Sequence, residues 1–282
     1  MGRIAQTWEL IGDSFAILKS DKELLLLPVF SGIFCVLVSV VVLGGGGLLL
    51  GPQNWQLTAS AGSRHSVPQS VWVCLFVFYL ADYFVITFFN VALVSAALSR
   101  LAGGHATLNN GLETAWKRKG KILQWAFLSA TVGVLLRMIA ERAGWLGRLV
   151  GGMTGMAWTL ASYFVVPVLV AEDVGPAEAL QRSADLFRQT WGEEVAGGFS
   201  FGLIFTLLAL PALALPFLGK NLGTTGVVAG IALAVLYWLA LSVVSAAVQG
   251  IFVAALYRYA KTRQVSPGFR LETFSTAWQP KH

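Results

Sequence analysis

Of the 14 acidic residues in this chain, Asp82 alone lies deep inside an apolar run. It sits about 12 residues into the run Val71–Leu101, or about 18 Å at 1.5 Å per helical residue, close to the middle of a bilayer. An ionised carboxylate at that depth costs about 2.5–3.5 kcal/mol on insertion scales, so Asp82 is expected to face a bundle interior and find a partner there or stay protonated. Helical spacing places Tyr79, Asp82, Tyr83, Ile86 and Asn90 on one side of the same run. A second polar stripe, Trp238, Ser242, Ser245 and Gln249, lies on the last apolar run. Two kinds of chemistry fit. Asp82 could be the proton or cation site of a small permease or channel, with both stripes lining a cavity. It could instead be a buried polar staple, bonded to a tyrosine or to Gln249, that fixes helix register. Arg137 is a candidate counter-ion, although Glu141, one turn further on, is its easier partner.

Other chemistry has little to stand on. His65, His105 and His282 form no ligand pair at helical spacing, and the chain has no His-Glu-x-x-His and no Cys-x-x-Cys. Gly219-Lys220 lacks the flanking residues of a phosphate loop. Cys35 and Cys74 both lie within apolar runs and read as reduced packing residues. No catalytic residue, metal site or cofactor is expected, and the chain reads as a non-enzyme.

The elements that position these residues follow from composition. The chain is 56% hydrophobic and only 12% charged, with a mean hydropathy of +0.70. A water-soluble domain is about 25% charged, so lipid must be the solvent for much of this surface. Long unbroken apolar runs rule against a spanning barrel, whose strands alternate. The runs extend from Leu24 to about Gly51, then over Val71–Leu101, Ile122–Ala140, Leu149–Val170, Val195–Leu218 and Thr225–Ala260. The expected fold is therefore all-α, a polytopic membrane bundle of six transmembrane helices. The Gly44–Gly47 run is expected to loosen or end the first span, and Pro167, Pro211 and Pro216 to bend the fourth and fifth. The second and last runs exceed a bilayer and must tilt or project.

Most of the 20 basic residues fall on one side of these spans; only Arg64, Arg137, Arg142, Arg148 and Lys220 fall on the other. Both termini are thus expected in the cytoplasm, with the chain in a bacterial inner membrane. Asp13, Asp21 and Glu23 before a long apolar run argue against a cleaved leader. The net charge of +6 reads as contact with anionic lipid rather than nucleic acid. Gly226/Gly230 and Gly147/Gly151/Gly155 allow close helix approach, and such faces suit self-association.

Three segments are amphipathic. Ile4, Trp8, Ile11, Phe15 and Leu18 form one apolar stripe before the first span; Leu108, Leu112 and Trp116 recur before the third; Leu180, Ala184, Phe187 and Trp191 before the fifth. Each reads as a cytoplasmic interfacial helix, with Trp8, Phe15, Trp116 and Trp191 as anchors. An interfacial helix followed by two spans would make a threefold repeat over residues 1–101, 106–172 and 176–260 of a single domain, with a cytoplasmic tail at 261–282.

The opening Trp8-Glu9-Leu10 through Asp21-Lys22-Glu23-Leu24-Leu25-Leu26-Leu27-Pro28-Val29, and the later Ala177–Ser183 followed by Trp191-Gly192, resemble an uncharacterised bacterial family of small multi-pass membrane proteins. The same stretches are distantly similar to the membrane domain of some glycerophosphodiesterases and to Yip1-like proteins. The resemblance implies a multi-pass bundle in the cell membrane and carries over no activity or functional residue.

Overall fold

The computed structural model describes residues 3–50, 69–105, 107–142, 144–191 and 201–269, and every regular element among them is helical. The chain opens with α1 (Arg3–Ser20), a tight turn at Lys22–Leu25, and α2 (Leu26–Ser39), which widens at Val40–Gly44 and continues as α3 (Gly45–Leu50). There follow α4 (Gln69–Leu101), α5 (Leu108–Lys117), α6 (Lys119–Arg142), α7 (Gly144–Ala161), α8 (Val165–Ala171) and α9 (Pro176–Trp191). Then α10 (Phe201–Ala209) tightens at Leu210–Ala214 into α11 (Leu215–Leu218), before α12 (Gly223–Thr262). The expected Gly51–Ser70 loop, the start of the fifth run at Val195 and the tail beyond residue 269 lie largely or wholly outside the described residues.

Four helices among the described residues are long and apolar enough to cross a membrane: Lys22–Leu48, Val73–Leu101, Gly152–Ala171 and Gly223–Thr262. Two of the six expected spans are not among them. Ile122–Ala140 is helical within α6 but carries Gln124, Ser129, Thr131 and Arg137. The fifth run is interrupted, and only Ile204–Leu218 reads as a shorter apolar helix. At the glycine run the helix widens at Val40–Gly44 and continues through Gly45–Leu50, the last residues described before residue 69.

The chain forms two compact units. One combines Met1–Pro28, Leu93–Gly111 and Asp185–His282; the other Val29–Ala92 and Leu112–Ala184. In the second unit, α2 and α4 run antiparallel. The rings of Phe30 and Phe34 lie 6.4 and 5.6 Å from that of Phe89, while further along the Cys74 thiol donates to the Val42 carbonyl at 3.7 Å. That carbonyl belongs to the widened turn, where the regular ladder is disturbed. In the same unit α6 pairs with α7, and Trp125 stacks on Trp158 with centroids 5.7 Å apart.

The fourth run, expected to bend at Pro167, is interrupted just before it. Proline cannot donate to Tyr163, and its ring crowds that turn, so the helix interrupts at Ser162–Phe164. The buried Phe164 N–H then donates to Ser183 Oγ of α9 at 2.9 Å. A charged clasp closes the same region. Arg118 donates to the Glu172 carbonyl at 2.7 Å, Lys121 pairs with Asp173, and Arg182 pairs with both Glu172 and Glu178.

In the first unit, α1 packs against α12, burying Leu10, Ile17 and Leu18. The buried residues of α12 concentrate in its second half, around Val248, Ile251, Phe252 and Leu256. Gly250 lies so close to Leu93 of α4 that a Cβ there would strike the leucine side chain. The α10–α11 segment folds back on the first half of α12. A Cβ on Gly230 would lie 2.5 Å from the Leu215 carbonyl oxygen and 2.8 Å from Pro216 Cα. The Gly226/Gly230 spacing is therefore used inside the chain, against its own preceding turn.

Candidate functional site

The site around Asp82 builds from two helices of the second unit. Asp82 on α4 meets the thiol of Cys35 on α2, and Cys35 is also hydrogen-bonded by the Ser31 side chain. Ser39 Oγ donates to the Cys35 carbonyl at 2.8 Å. Ser31, Cys35 and Ser39 recur at four-residue steps, so they form a small polar stripe along α2 that sequence reading passed over. The spacing was there to be seen; a thiol and two hydroxyls in an apolar run simply carry little polar signal. The second carboxylate oxygen, Asp82 Oδ1, is buried and takes no hydrogen bond from the described residues.

The tyrosines offered as neighbours stand elsewhere on the helix. Tyr79 and Tyr83 are 37% and 40% exposed, Ile86 is exposed, and Asn90 is half-buried. Asp82 thus turns toward Cys35 while the rings flank it on the surface. On α12, in the first unit, Ser242 and Gln249 are exposed and Ser245 is half-buried. Ser242 Oγ donates back to the Leu239 carbonyl at 2.8 Å, which leaves it a local backbone contact. Trp238 Nε1 donates to the Ala209 carbonyl at 3.0 Å.

The expected anchors fall on the short helices. Trp8 and Phe15 are 53% and 47% exposed on α1, on the side away from buried Leu10 and Ile17. The stripe expected from sequence is therefore divided: Leu18 is buried in the protein while Trp8 and Phe15 remain outside. Trp116 on α5 is exposed, meets Phe88 edge-on at 6.5 Å, and has the Lys119 ammonium 4.1 Å from its ring centroid. On α9 the buried line is Ala179, Ser183 and Phe187, with Leu180 and Ala184 half-buried beside it. The side chains of Trp191, Arg137 and Glu141 lie outside the described part.

The described residues hold no cluster of three metal-ligating side chains. One catalytic spelling, Gly198-Phe199-Ser200-Phe201-Gly202, does match the Gly-x-Ser-x-Gly pattern, which corrects the expectation that this motif is absent from the chain. A nucleophile elbow requires a strand running into a helix. The described residues contain no strand, and residues 192–200 lie outside them. Outside the spans, the electrostatics are those of surface ion pairs. The hydrogen bond from Lys121, then its charge, holds the Asp173 carboxyl below the usual carboxylate range. Lys117 does the same for Glu113 from one turn away at 2.6 Å.

A family model described as a family of unknown function, DUF6159, matches residues 69–268. No curated protein and no solved structure matches the chain, so nothing in these comparisons extends the likeness to glycerophosphodiesterase membrane domains or Yip1-like proteins. Of the two stretches that carried the resemblance, Ala177–Gly192 lies inside the matched region and Trp8–Val29 outside it. Since the match covers well over half of its length, the chain belongs to the family of unknown function DUF6159.

Proposed function

We propose that this protein is a non-enzymatic, membrane-organising bundle of a bacterial inner membrane, with α1, α5 and α9 resting on the cytoplasmic leaflet against anionic lipid. One observation carries the reading: α1 and α5 keep one face in the protein and leave aromatic rings bare on another. Phe15 on α1 stands one helical turn from Lys19 in sequence, Trp8 is bare on the same side of the helix, and Trp116 on α5 sits under the Lys119 ammonium. An aromatic body beside a cationic head suits the boundary between acyl chains and phosphates. The excess of basic residues at this end supports a cytoplasmic orientation for both termini.

Six spans fit this reading. α6 has 24 residues, about 36 Å of helix, and the α10–α11 segment covers roughly 30 Å because its tight turn rises faster than an α-helix. Asp82 then acts as a register pin between the first two spans, supported by its pairing with Cys35.

Spin labels test the surface helices. Cysteines replacing Trp8 and Phe15 in a Cys35→Ala, Cys74→Ala background are labelled and reconstituted with and without phosphatidylglycerol. Both labels are expected to collide more with oxygen than with a water-soluble nickel chelate, most strongly in the anionic vesicles. Labels that read as aqueous in both lipids overturn the proposal.

A further inference from the structure

A cavity of about 350 Å³ opens in the first unit, where the ends of α1 and α4 meet the turn that follows α12. Ala16, Ile17 and Ser20 of α1, Arg100 and Leu101 of α4, and Gly268 contribute to its wall. Its volume lies at the small end of the range that ligand pockets occupy, about 300–1,000 Å³. The lining is mostly apolar, and Arg100, which carries a guanidinium, is the one charged residue in it.

That guanidinium is already half committed. Arg100 Nε lies 2.7 Å from Asp21 Oδ2. Asp21 is held in turn, its N–H donating to the Ile17 carbonyl at 3.2 Å and its Oδ2 accepting from Ser20 Oγ at 3.2 Å. An ion pair through Nε leaves the two terminal Nη groups of the planar fork to face a second acceptor. Asp21 fixes the Arg100 head as a second-layer carboxylate fixes a ligand-binding arginine.

Two glycines keep the space open. Gly103 and Gly268 have φ of +90° and +92°, conformations in which a side chain would be strained. The position a Cβ would take on Gly103 is empty, and on Gly268 it lies 3.3 Å from the end of Ile17. The surrounding charges favour an anion. Lys19 and Lys22 flank the Asp21 turn and are exposed, whereas the nearby Glu23 carboxylate accepts the Leu108 N–H at 3.3 Å.

We infer that this cavity binds one anionic glycerophospholipid, its phosphate on Arg100 and the start of an acyl chain against Ala16, Ile17 and Leu101. The inference rests on the proposed leaflet position of α1, which sets the cavity at headgroup depth. A single cation in a mostly apolar lining matches an amphiphile with an acidic head better than a freely soluble ion.

The full chain, purified in mild detergent, is melted and examined by native mass spectrometry with phosphatidylglycerol, phosphatidylcholine or inorganic phosphate. Phosphatidylglycerol is expected to raise the melting temperature and remain bound, and phosphatidylcholine to bind about tenfold more weakly because it lacks net charge. Arg100→Gln is expected to remove that preference. Ala16→Trp fills the cavity, leaves the Arg100–Asp21 pair intact, and is expected to abolish retention by itself; it decides the matter if Arg100→Gln does not fold. Undiminished phosphatidylglycerol binding by Ala16→Trp overturns the site, as does inorganic phosphate matching the lipid's effect. The two proposals fail separately. Membrane-embedded labels at positions 8 and 15 with unaltered lipid retention in Ala16→Trp sink the cavity alone; aqueous labels with lost retention sink the leaflet position alone.

Discussion

The Tyr237 hydroxyl donates to the Leu208 carbonyl at 2.7 Å, and the adjacent Trp238 indole takes the Ala209 carbonyl at 3.0 Å. Both carbonyls end α10, just before Pro211, which supplies no N–H to continue the ladder. A helix interrupted in lipid needs such outside donors, and α12 provides two from consecutive residues.

Removing one donor leaves a carbonyl stranded. Tyr237→Phe is expected to destabilise the protein by about 1–2 kcal/mol, between the modest values for polar contacts in membranes and the cost of an unmet buried acceptor. Thermal unfolding in detergent measures this. A Tyr237→Phe protein that melts with the wild type shows that water or lipid replaces the hydroxyl.

The glycines predict a graded series. At Gly230 an added methyl meets backbone, the Leu215 carbonyl and Pro216 Cα, which cannot move without shifting α11. At Gly250 it meets only the flexible end of Leu93, and at Gly155 it meets nothing within 4 Å. Gly230→Ala is expected to cost about 1–3 kcal/mol, Gly250→Ala less, and Gly155→Ala nothing measurable. The order of melting temperatures checks it; an equal loss at all three positions would contradict the packing.

For Asp82, the pairing with Cys35 predicts tolerance of a neutral isostere. Asn at this position still accepts from a thiol and removes a charge that costs about 2.5–3.5 kcal/mol at the bilayer centre. Asp82→Asn is therefore expected to melt at or above the wild-type temperature. Cys35→Ala, which leaves the carboxylate without its donor, is expected to melt lower. A marked loss of stability in Asp82→Asn would show that the charge itself is needed.

The clasp after α8 predicts a pH dependence. Asp173 is held below the usual carboxylate range first by the Lys121 hydrogen bond and then by the Lys121 charge; desolvation opposes this, and Arg118 adds a last small pull. A carboxyl depressed in the folded state stabilises fully above its unfolded value, about 3.9, and the contribution is lost as pH falls through the folded value. The melting difference between wild type and Asp173→Asn is expected to hold steady from about pH 7 to 5 and to close below about pH 4. It will be small, because the pair is exposed. A difference that persists at the lowest pH assigns it to something other than ionisation.

Composition and periodicity alone determined the helical class, the place of four helices long and apolar enough to cross a membrane, and a disturbance of the helix at Pro167 and Pro211. These are local matters: a run of apolar residues in lipid must close its own backbone hydrogen bonds, and a proline cannot. The Gly226/Gly230 spacing likewise announced a close approach, but its partner proved to be the chain's own Leu215–Pro216. Periodicity fixes the angle between two side chains on one helix and is silent about which neighbour arrives. So the stripe on α1 read as a single face, and only packing against α12 divided it into buried Leu18 and bare Trp8 and Phe15. Asp82 was conspicuous from its charge, yet its partner is a cysteine that looked like filling, because hydrogen-bond pairing depends on atoms brought together by the fold. The cavity beside Arg100 was invisible for the same reason. Its walls come from three distant segments, and empty space has no residue to mark it.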